Sequence, residues 1–331
     1  MDNQDDCDYE GIAMKIVVLN EEKMNYDHLL DFHQLGDDVV VFQHSSEEEI
    51  CERVQGATIV ITKELVLSEK MVEAFDDSIK LIIEAGTGYN NIPLDACNKK
   101  GITVCNIPAY SSQRVAQTAI MLMLNLASSM QMQLRMLERK DHSNFTQHLM
   151  VNHIELNDKV LGVVGYGHIA KETIKIALAM GMKVVVTART PREDHDGIHF
   201  TSLEEVLKTS DFISLHCPLN KETYHLIGAS QLALMKPTAY LINTARGALI
   251  DEQALIKVLQ NKMIAGAGLD VLEKEPPLDN SPLYDMENVI ITPHMGWKGK
   301  ETRERLYQII KSNVDHYLAG DPINVVNGTS R

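Results

Sequence analysis

LGVVGYGHIAKETIKIALAMG, residues Leu161–Gly181, begins as an apolar run, stops at a glycine and resumes as an amphipathic helical pattern. Gly165, Gly167 and Ala170 fit the spacing G-x-G-x-x-G/A across that junction. Each position has a physical reason. Gly165 permits the tight turn, Gly167 lets a pyrophosphate approach the backbone, and Ala170 lets the helix pack on the strand. The first N–H groups of the helix have no partner inside it, so they and the helix dipole face such an anion. The plain alternative is an ordinary strand-to-helix turn; a strand directly before and a helix directly after favour a dinucleotide site.

Downstream the pattern repeats in KVVVT (183–187), DFISLHC (211–217), AYLINTA (239–245), IAGAGLD (264–270) and NVIITP (288–293). Upstream, KIVVL (15–19), DVVVF (38–42), ATIVIT (57–62), KLIIEA (80–85) and ITVCN (102–106) form a first series, with helical patterns at 46–55 and 68–75 between them. Short buried runs alternating with helices indicate parallel sheets. Between the series, QRVAQTAIMLMLNLASSMQMQLRMLE (113–138) is a helical pattern almost without a polar face. It is expected to enter the core and also to supply the contact of a homodimer. The fold class is α/β, with two doubly wound parallel-sheet domains and a cleft between them.

Composition narrows the function. With 331 residues and 44% hydrophobic content, the chain can bury cores for two domains. A formal charge of −15 argues against nucleic-acid and anionic-membrane surfaces, which need clustered Lys and Arg. Asp2, Asp5, Asp6, Asp8 and Glu10 lie in a polar leader expected to be disordered, with Met14 as an alternative start. The leader lacks the basic and apolar regions of a signal peptide, and no apolar run reaches the roughly 18 residues of a membrane span. A cytoplasmic location is expected. Cys7, Cys51, Cys97, Cys105 and Cys217 are odd in number and widely spaced, so neither a disulfide framework nor a metal site is expected.

An acidic residue roughly 20 positions past the glycines would accept the ribose 2′-OH of NAD. VVVTARTPRED (184–194) instead supplies Arg189, Thr190 and Arg192. Two guanidiniums and a hydroxyl suit a 2′-phosphate, so NADP(H) is favoured, with NAD(H) the other candidate. A solvated basic turn, partly offset by Glu193 and Asp194, is the plain alternative. Further on, Arg246, Asp270 and His294 follow three successive strands, and Glu275 precedes a Pro pair. Singly these read as a surface Arg, a loop Glu and a core His. Together at strand ends they describe a site: carbonyl reduction needs a cation for the substrate, an acid for the developing alkoxide, and a carboxylate partner for that acid.

From about Met14 to Asn327 the chain resembles the D-isomer-specific 2-hydroxyacid dehydrogenase family. The resemblance rests on AGTGYNNIPLDACNKKGITVCNIPAYSSQRVAQ, GVVGYGHIA, SDFISLHCPLNKET, MKPTAYLINTARGALIDEQAL, AGAGLDVLEKEPP and VIITPHMGW, in that order and spacing. TPHMGW and GDPINVVN are similar to the glycerate dehydrogenases, or hydroxypyruvate and glyoxylate reductases, of that family. The resemblance implies hydride transfer from NAD(P)H to a small 2-oxo acid. It makes Arg246 the substrate cation, His294 the acid/base and Glu275 its partner, with Thr87 and Gly88 offering N–H groups to the substrate carboxylate. Around the cofactor it adds His168, Ile169, Cys217, Pro218, Thr244, Ala245 and Arg246, with Asp270, His294 and Gly296 on the nicotinamide side. It also implies a flavodoxin-like substrate domain at 1–107 plus 298–331, a Rossmann cofactor domain at 108–297, and His294 at a hinge. Corepressors similar to this family sense NAD(H) without catalysis, which is the competing function. One departure is Glu84, a carboxylate in the strand approaching the substrate loop, expected to point away from the cleft.

Overall fold

The structure, a computed structural model, describes residues 14–276 and 280–328. The acidic leader, its expected disorder and Cys7 lie outside them. The chain divides into two units, one of residues up to Tyr110 together with those from Lys300 onward, the other Ser111–Gly299.

In the first unit the strands are β1 (Lys15–Val18), β2 (Asp38–Val41), β3 (Ile59–Thr62), β4 (Leu81–Glu84) and β5 (Thr103–Cys105). They form one parallel sheet in the order β2-β1-β3-β4-β5, the flavodoxin-like arrangement. β3 and β4 are buried throughout, which is why both read as continuous apolar runs rather than alternating ones. Val17, Val60, Ile82 and Val104 share a core with Ile50, Val72 and Cys97 from the covering helices.

The second unit holds β6 (Val160–Val164), β7 (Lys183–Thr187), β8 (Ile198–Phe200), β9 (Phe212–Leu215), β10 (Tyr240–Asn243), β11 (Gly266–Leu269) and β12 (Val289–Ile291). All run parallel in the order β12-β11-β10-β9-β6-β7-β8. Strand order reverses between β6 and β9, the switch point at whose carboxyl side ligands bind. β8 has only three residues at the sheet edge, too few for a periodic signal. The 113–138 pattern is two helices, Ser112–Ala127 and Met130–Glu138, parted where Ser129 turns left-handed at φ 47°. Ala119, Leu122 and Met123 of the first helix are buried in the sheet's core, whereas the second buries no residue. The core reading therefore holds for the first half and leaves the second half outward. Among the described residues, no helix is long and apolar enough to cross a membrane.

Candidate active site

The cofactor elements assemble at the β6–β9 switch point. Gly165 adopts φ 97°, a left-handed conformation that favours glycine. A side chain there would meet the Cys217 backbone nitrogen at 2.8 Å, so the glycine turn lies flat against the end of β9. Gly167 is exposed and would meet nothing within 4 Å, an open cradle at the start of helix His168–Ala179. Among the described residues, no side chain caps this helix. The amides of His168 and Ile169 therefore remain available to an anion. Burial pushes His216 down to about 4 and the Cys217 thiol up to about 11. Both are neutral at pH 7, so the facing wall offers backbone and uncharged side chains, with Pro218 exposed beyond it.

At the end of β7, Arg189, Thr190 and Arg192 are all exposed. The Arg192 guanidinium lies 5.1 Å from the centre of the Tyr166 ring, which Lys171 approaches at 5.2 Å. Asp194, expected to offset the arginines, turns elsewhere: it pairs with His199 at 2.6 Å and accepts the Phe200 N–H at 2.8 Å. The His199 hydrogen bond, helped by the Phe200 N–H, holds its carboxyl below the usual range.

The β10 turn is braced by Asn243, a polar residue buried at the end of an apolar strand. Its side chain donates to the Arg246 carbonyl at 2.9 Å and accepts from the Ala245 N–H at 3.0 Å. Arg246 is half-buried and, among the described residues, donates once, to the Ala245 carbonyl at 2.8 Å. A side chain at Gly247 would sit 1.9 Å from the Leu272 carbonyl, so this turn and the loop carrying Glu275 press backbone to backbone. Among the described residues the buried Thr244 hydroxyl has no partner, an orphan at the very position expected to touch cofactor. An open glycine cradle, an uncapped helix start and this orphan hydroxyl fit a dinucleotide.

His294 follows β12 with φ 47°. Its Nδ1 lies 2.7 Å from Glu275 Oε2, and Glu275 Oε1 accepts the Leu272 N–H at 2.9 Å. Asp270 is buried and holds the His294 turn. Its carboxylate accepts from the Thr292 hydroxyl at 2.5 Å, the Met295 N–H at 2.9 Å and the Gly296 N–H at 2.8 Å. The His294 N–H donates to the Asp270 carbonyl at 2.9 Å. The carboxylate of Asp270, expected on the nicotinamide side, is thus taken up by Thr292, Met295 and Gly296. Thr292 and Asn243 carry structural roles that the sequence reading missed; a polar residue closing an apolar strand was the available signal. A cavity of about 560 Å³ adjoins Glu275 and His294, walled by Arg135, Leu272, Tyr284 and Ile291 among others.

Thr87 and Gly88 belong to the first unit, on the turn after β4. The Thr87 hydroxyl donates to the Ile107 carbonyl at 3.0 Å, and Asn106 donates to the Thr87 carbonyl at 2.8 Å. Among the described residues, neither the Thr87 nor the Gly88 N–H has an intramolecular acceptor. Glu84 is fully buried.

Residues 120–296 match the model of the D-isomer specific 2-hydroxyacid dehydrogenase NAD binding domain. A hydroxypyruvate reductase of Blautia hydrogenotrophica is 37% identical over 325 residues, covering 95% of this chain and all of that one. Among solved structures, an acyclic imino acid reductase in complex with NADPH and D-Arg superposes with a TM-score of 0.85 at 33% identity, covering 95% of this chain and all of that one. The D-lactate dehydrogenase of Aquifex aeolicus, complexed with NAD and lactic acid, gives 0.83 at 31% identity, with 96% and 100% covered.

Proposed function

The chain belongs to the D-isomer specific 2-hydroxyacid dehydrogenase family and is an NAD(P)-dependent oxidoreductase; from that premise we propose that it reduces hydroxypyruvate, glyoxylate or a 2-oxo acid of similar size to the D-2-hydroxy acid, preferring NADPH. The observation that carries this reading is the Glu275–His294 pair at 2.7 Å, on a turn held by Asp270 and two strands from Arg246.

When bound, the nicotinamide supplies the hydride. Arg246 orients the substrate carboxylate and polarises its carbonyl through guanidinium donors that the described residues leave unused. The Thr87 and Gly88 amides receive the same carboxylate. Glu275 takes the Nδ1 side of His294, which leaves Nε2 to deliver the proton to the carbonyl oxygen as negative charge develops there. Gly165, Gly167, His168 and Ile169 hold the pyrophosphate. Arg189, Thr190 and Arg192 take the 2′-phosphate, and Thr244 hydrogen-bonds the cofactor. The substrate domain corresponds to residues 1–107 plus 298–331 and the cofactor domain to 108–297, with His294 near the second crossing of the chain. The described cysteines are free thiols, in keeping with a cytoplasmic enzyme.

A steady-state screen of hydroxypyruvate, glyoxylate, pyruvate, phenylpyruvate and 2-oxoisocaproate with either cofactor tests the substrate. Hydroxypyruvate or glyoxylate should show the highest kcat/KM; a clear preference for a bulky 2-oxo acid would refute it.

We also infer a homodimer. Leu134, Leu137, Phe145, Leu149 and Met150 are exposed apolar side chains within a short span of the second unit, and a cluster of exposed apolar groups suits a protein interface. Light scattering at micromolar concentration should give twice the chain mass, and Leu134→Glu with Phe145→Glu should give the monomer mass. A monomeric native protein contradicts the inference.

A further inference from the structure

Three ionisable residues of the first unit are left over by the reaction just described. Lys63 follows β3 and is almost fully buried; Glu84 ends β4 and is fully buried; Tyr110 is buried beside them. The Glu84 carboxylate accepts the Glu64 N–H at 3.0 Å and the Asn91 side-chain amide at 2.8 Å. Lys63 Nζ lies 2.9 Å from Glu64 Oε1 and 3.5 Å from the Tyr110 hydroxyl. From the C-terminal helix Lys300–Leu318, Arg305 donates to the Tyr110 carbonyl at 2.9 Å.

These charges converge on one glycine. A side chain on Gly86 would begin 3.1 Å from Glu84 Oε1 and 3.2 Å from Lys63 Nζ. The next amide along the chain is that of Thr87. By standard bond lengths both charges therefore lie within about 7 Å of that N–H. A buried charge at that range interacts with a bound anion far more strongly than one in water.

We propose that Lys63 and Glu84 are positioning residues that set the charge beneath the Gly86–Gly88 turn, and thereby how tightly that turn holds the carboxylate of a 2-oxo acid. The inference rests on the reading that the Thr87 and Gly88 amides receive that carboxylate. Lys63 stays charged: burial opposes its charge, but Tyr110, Glu64 and Glu84 together outweigh it and hold its pKa above the ordinary lysine value. Glu84 behaves differently. Burial raises its carboxyl to about 7, with Lys63 and the Asn91 and Glu64 hydrogen bonds opposing the rise. Below that pH Glu84 is neutral and Lys63 favours a bound anion. Above it, a carboxylate forms under the turn and repels one. The ionised form is the one that weakens substrate binding, so KM rises with pH.

The test is the KM and kcat of native enzyme, Glu84→Gln and Lys63→Met for hydroxypyruvate between about pH 6 and about pH 8.5, with folding checked by circular dichroism. Native KM should climb about threefold to tenfold across this range, the effect expected of one partly screened charge. Glu84→Gln should keep a low KM throughout, and kcat should differ less than about twofold between the two. Every other pH effect is common to both enzymes, so the ratio of their KM values isolates Glu84. Lys63→Met should raise KM about tenfold at every pH. KM values of native enzyme and Glu84→Gln that rise in parallel overturn the proposal, even if Lys63→Met does not fold. The primary amide of hydroxypyruvate separates the two levels of argument. A native KM unchanged by loss of the carboxylate removes the Thr87 and Gly88 reading and this proposal with it. A KM that rises sharply for the amide, alongside parallel pH profiles, removes this proposal alone.

Discussion

Purified His294→Ala should reduce hydroxypyruvate with a kcat roughly 10² to 10⁴ below that of the native enzyme, while NADPH binding, followed by quenching of protein fluorescence, changes little. The reason lies in the division of labour around the turn. In the proposed mechanism the His294 side chain carries the proton, whereas the turn itself is fixed by Asp270, which accepts from Thr292, Met295 and Gly296. Truncating the imidazole leaves those bonds and the glycine cradle intact, so the loss falls on the chemical step. Glu275→Gln should fall between the two: its amide can still accept from Nδ1 but lacks the charge that steadies the imidazolium form in which the acid works. A His294→Ala enzyme turning over at the native rate would mean that the proton comes from elsewhere, and the assignment of Glu275 would fall with it.

The second large effect is expected at the end of β7. Native enzyme should prefer NADPH over NADH by about tenfold to a few hundredfold in kcat/KM, the range of one charge-assisted contact at a partly exposed site. Arg189→Asp should reverse that order. A carboxylate there accepts the 2′-OH of NADH and repels a 2′-phosphate. Two features support the direction. Asp194 is committed to His199 and the Phe200 N–H, so it does not neutralise the arginines. Arg192 rests over Tyr166, so one of the two cations already has a platform on the protein. Arg189 lies nearer the strand end and should contribute more. Equal use of both cofactors by native enzyme at low ionic strength, where charge counts most, would reduce Arg189 to a solvated turn residue.

Most of the architecture could be read before any coordinates because a strand buried on both faces must be apolar along its whole length, and such runs stand out against their helices. β8 escaped because three residues at a sheet edge carry no period. The break at Ser129 escaped because a single left-handed residue between two apolar helical patterns does not interrupt the pattern. In the candidate site, residues that are unusual where they stand, Gly165, Arg246, Glu275 and His294, stand out in the sequence. Residues whose purpose is to hold others do not. The part Asp270 plays in holding the His294 turn is one such case, since nothing local says that its partners come from the next strand's turn. Asn243 looked like part of an apolar strand. Glu84 was read as facing away from substrate. It is buried, with its carboxylate close beneath the Gly86 turn, and a sequence pattern carries no measure of distance through the interior.

The order β12-β11-β10 has a consequence for how this enzyme can change. Arg246, Asp270 and His294 leave neighbouring strands, and hydrogen-bonded strands keep a spacing of about 4.8 Å. The spacing of the strand ends that carry the Arg246 and His294 turns is therefore set by the ladder itself, about 10 Å between the outer two strand axes. In the proposed mechanism the two turns that flank the reacting end of the substrate are mounted on that spacing. Acceptance of longer or bulkier acids must then be won or lost beyond the carbonyl carbon. A directed-evolution library aimed at new substrates should spare the three strand ends and vary the loops around them, where diversity alters selectivity without resetting the chemistry.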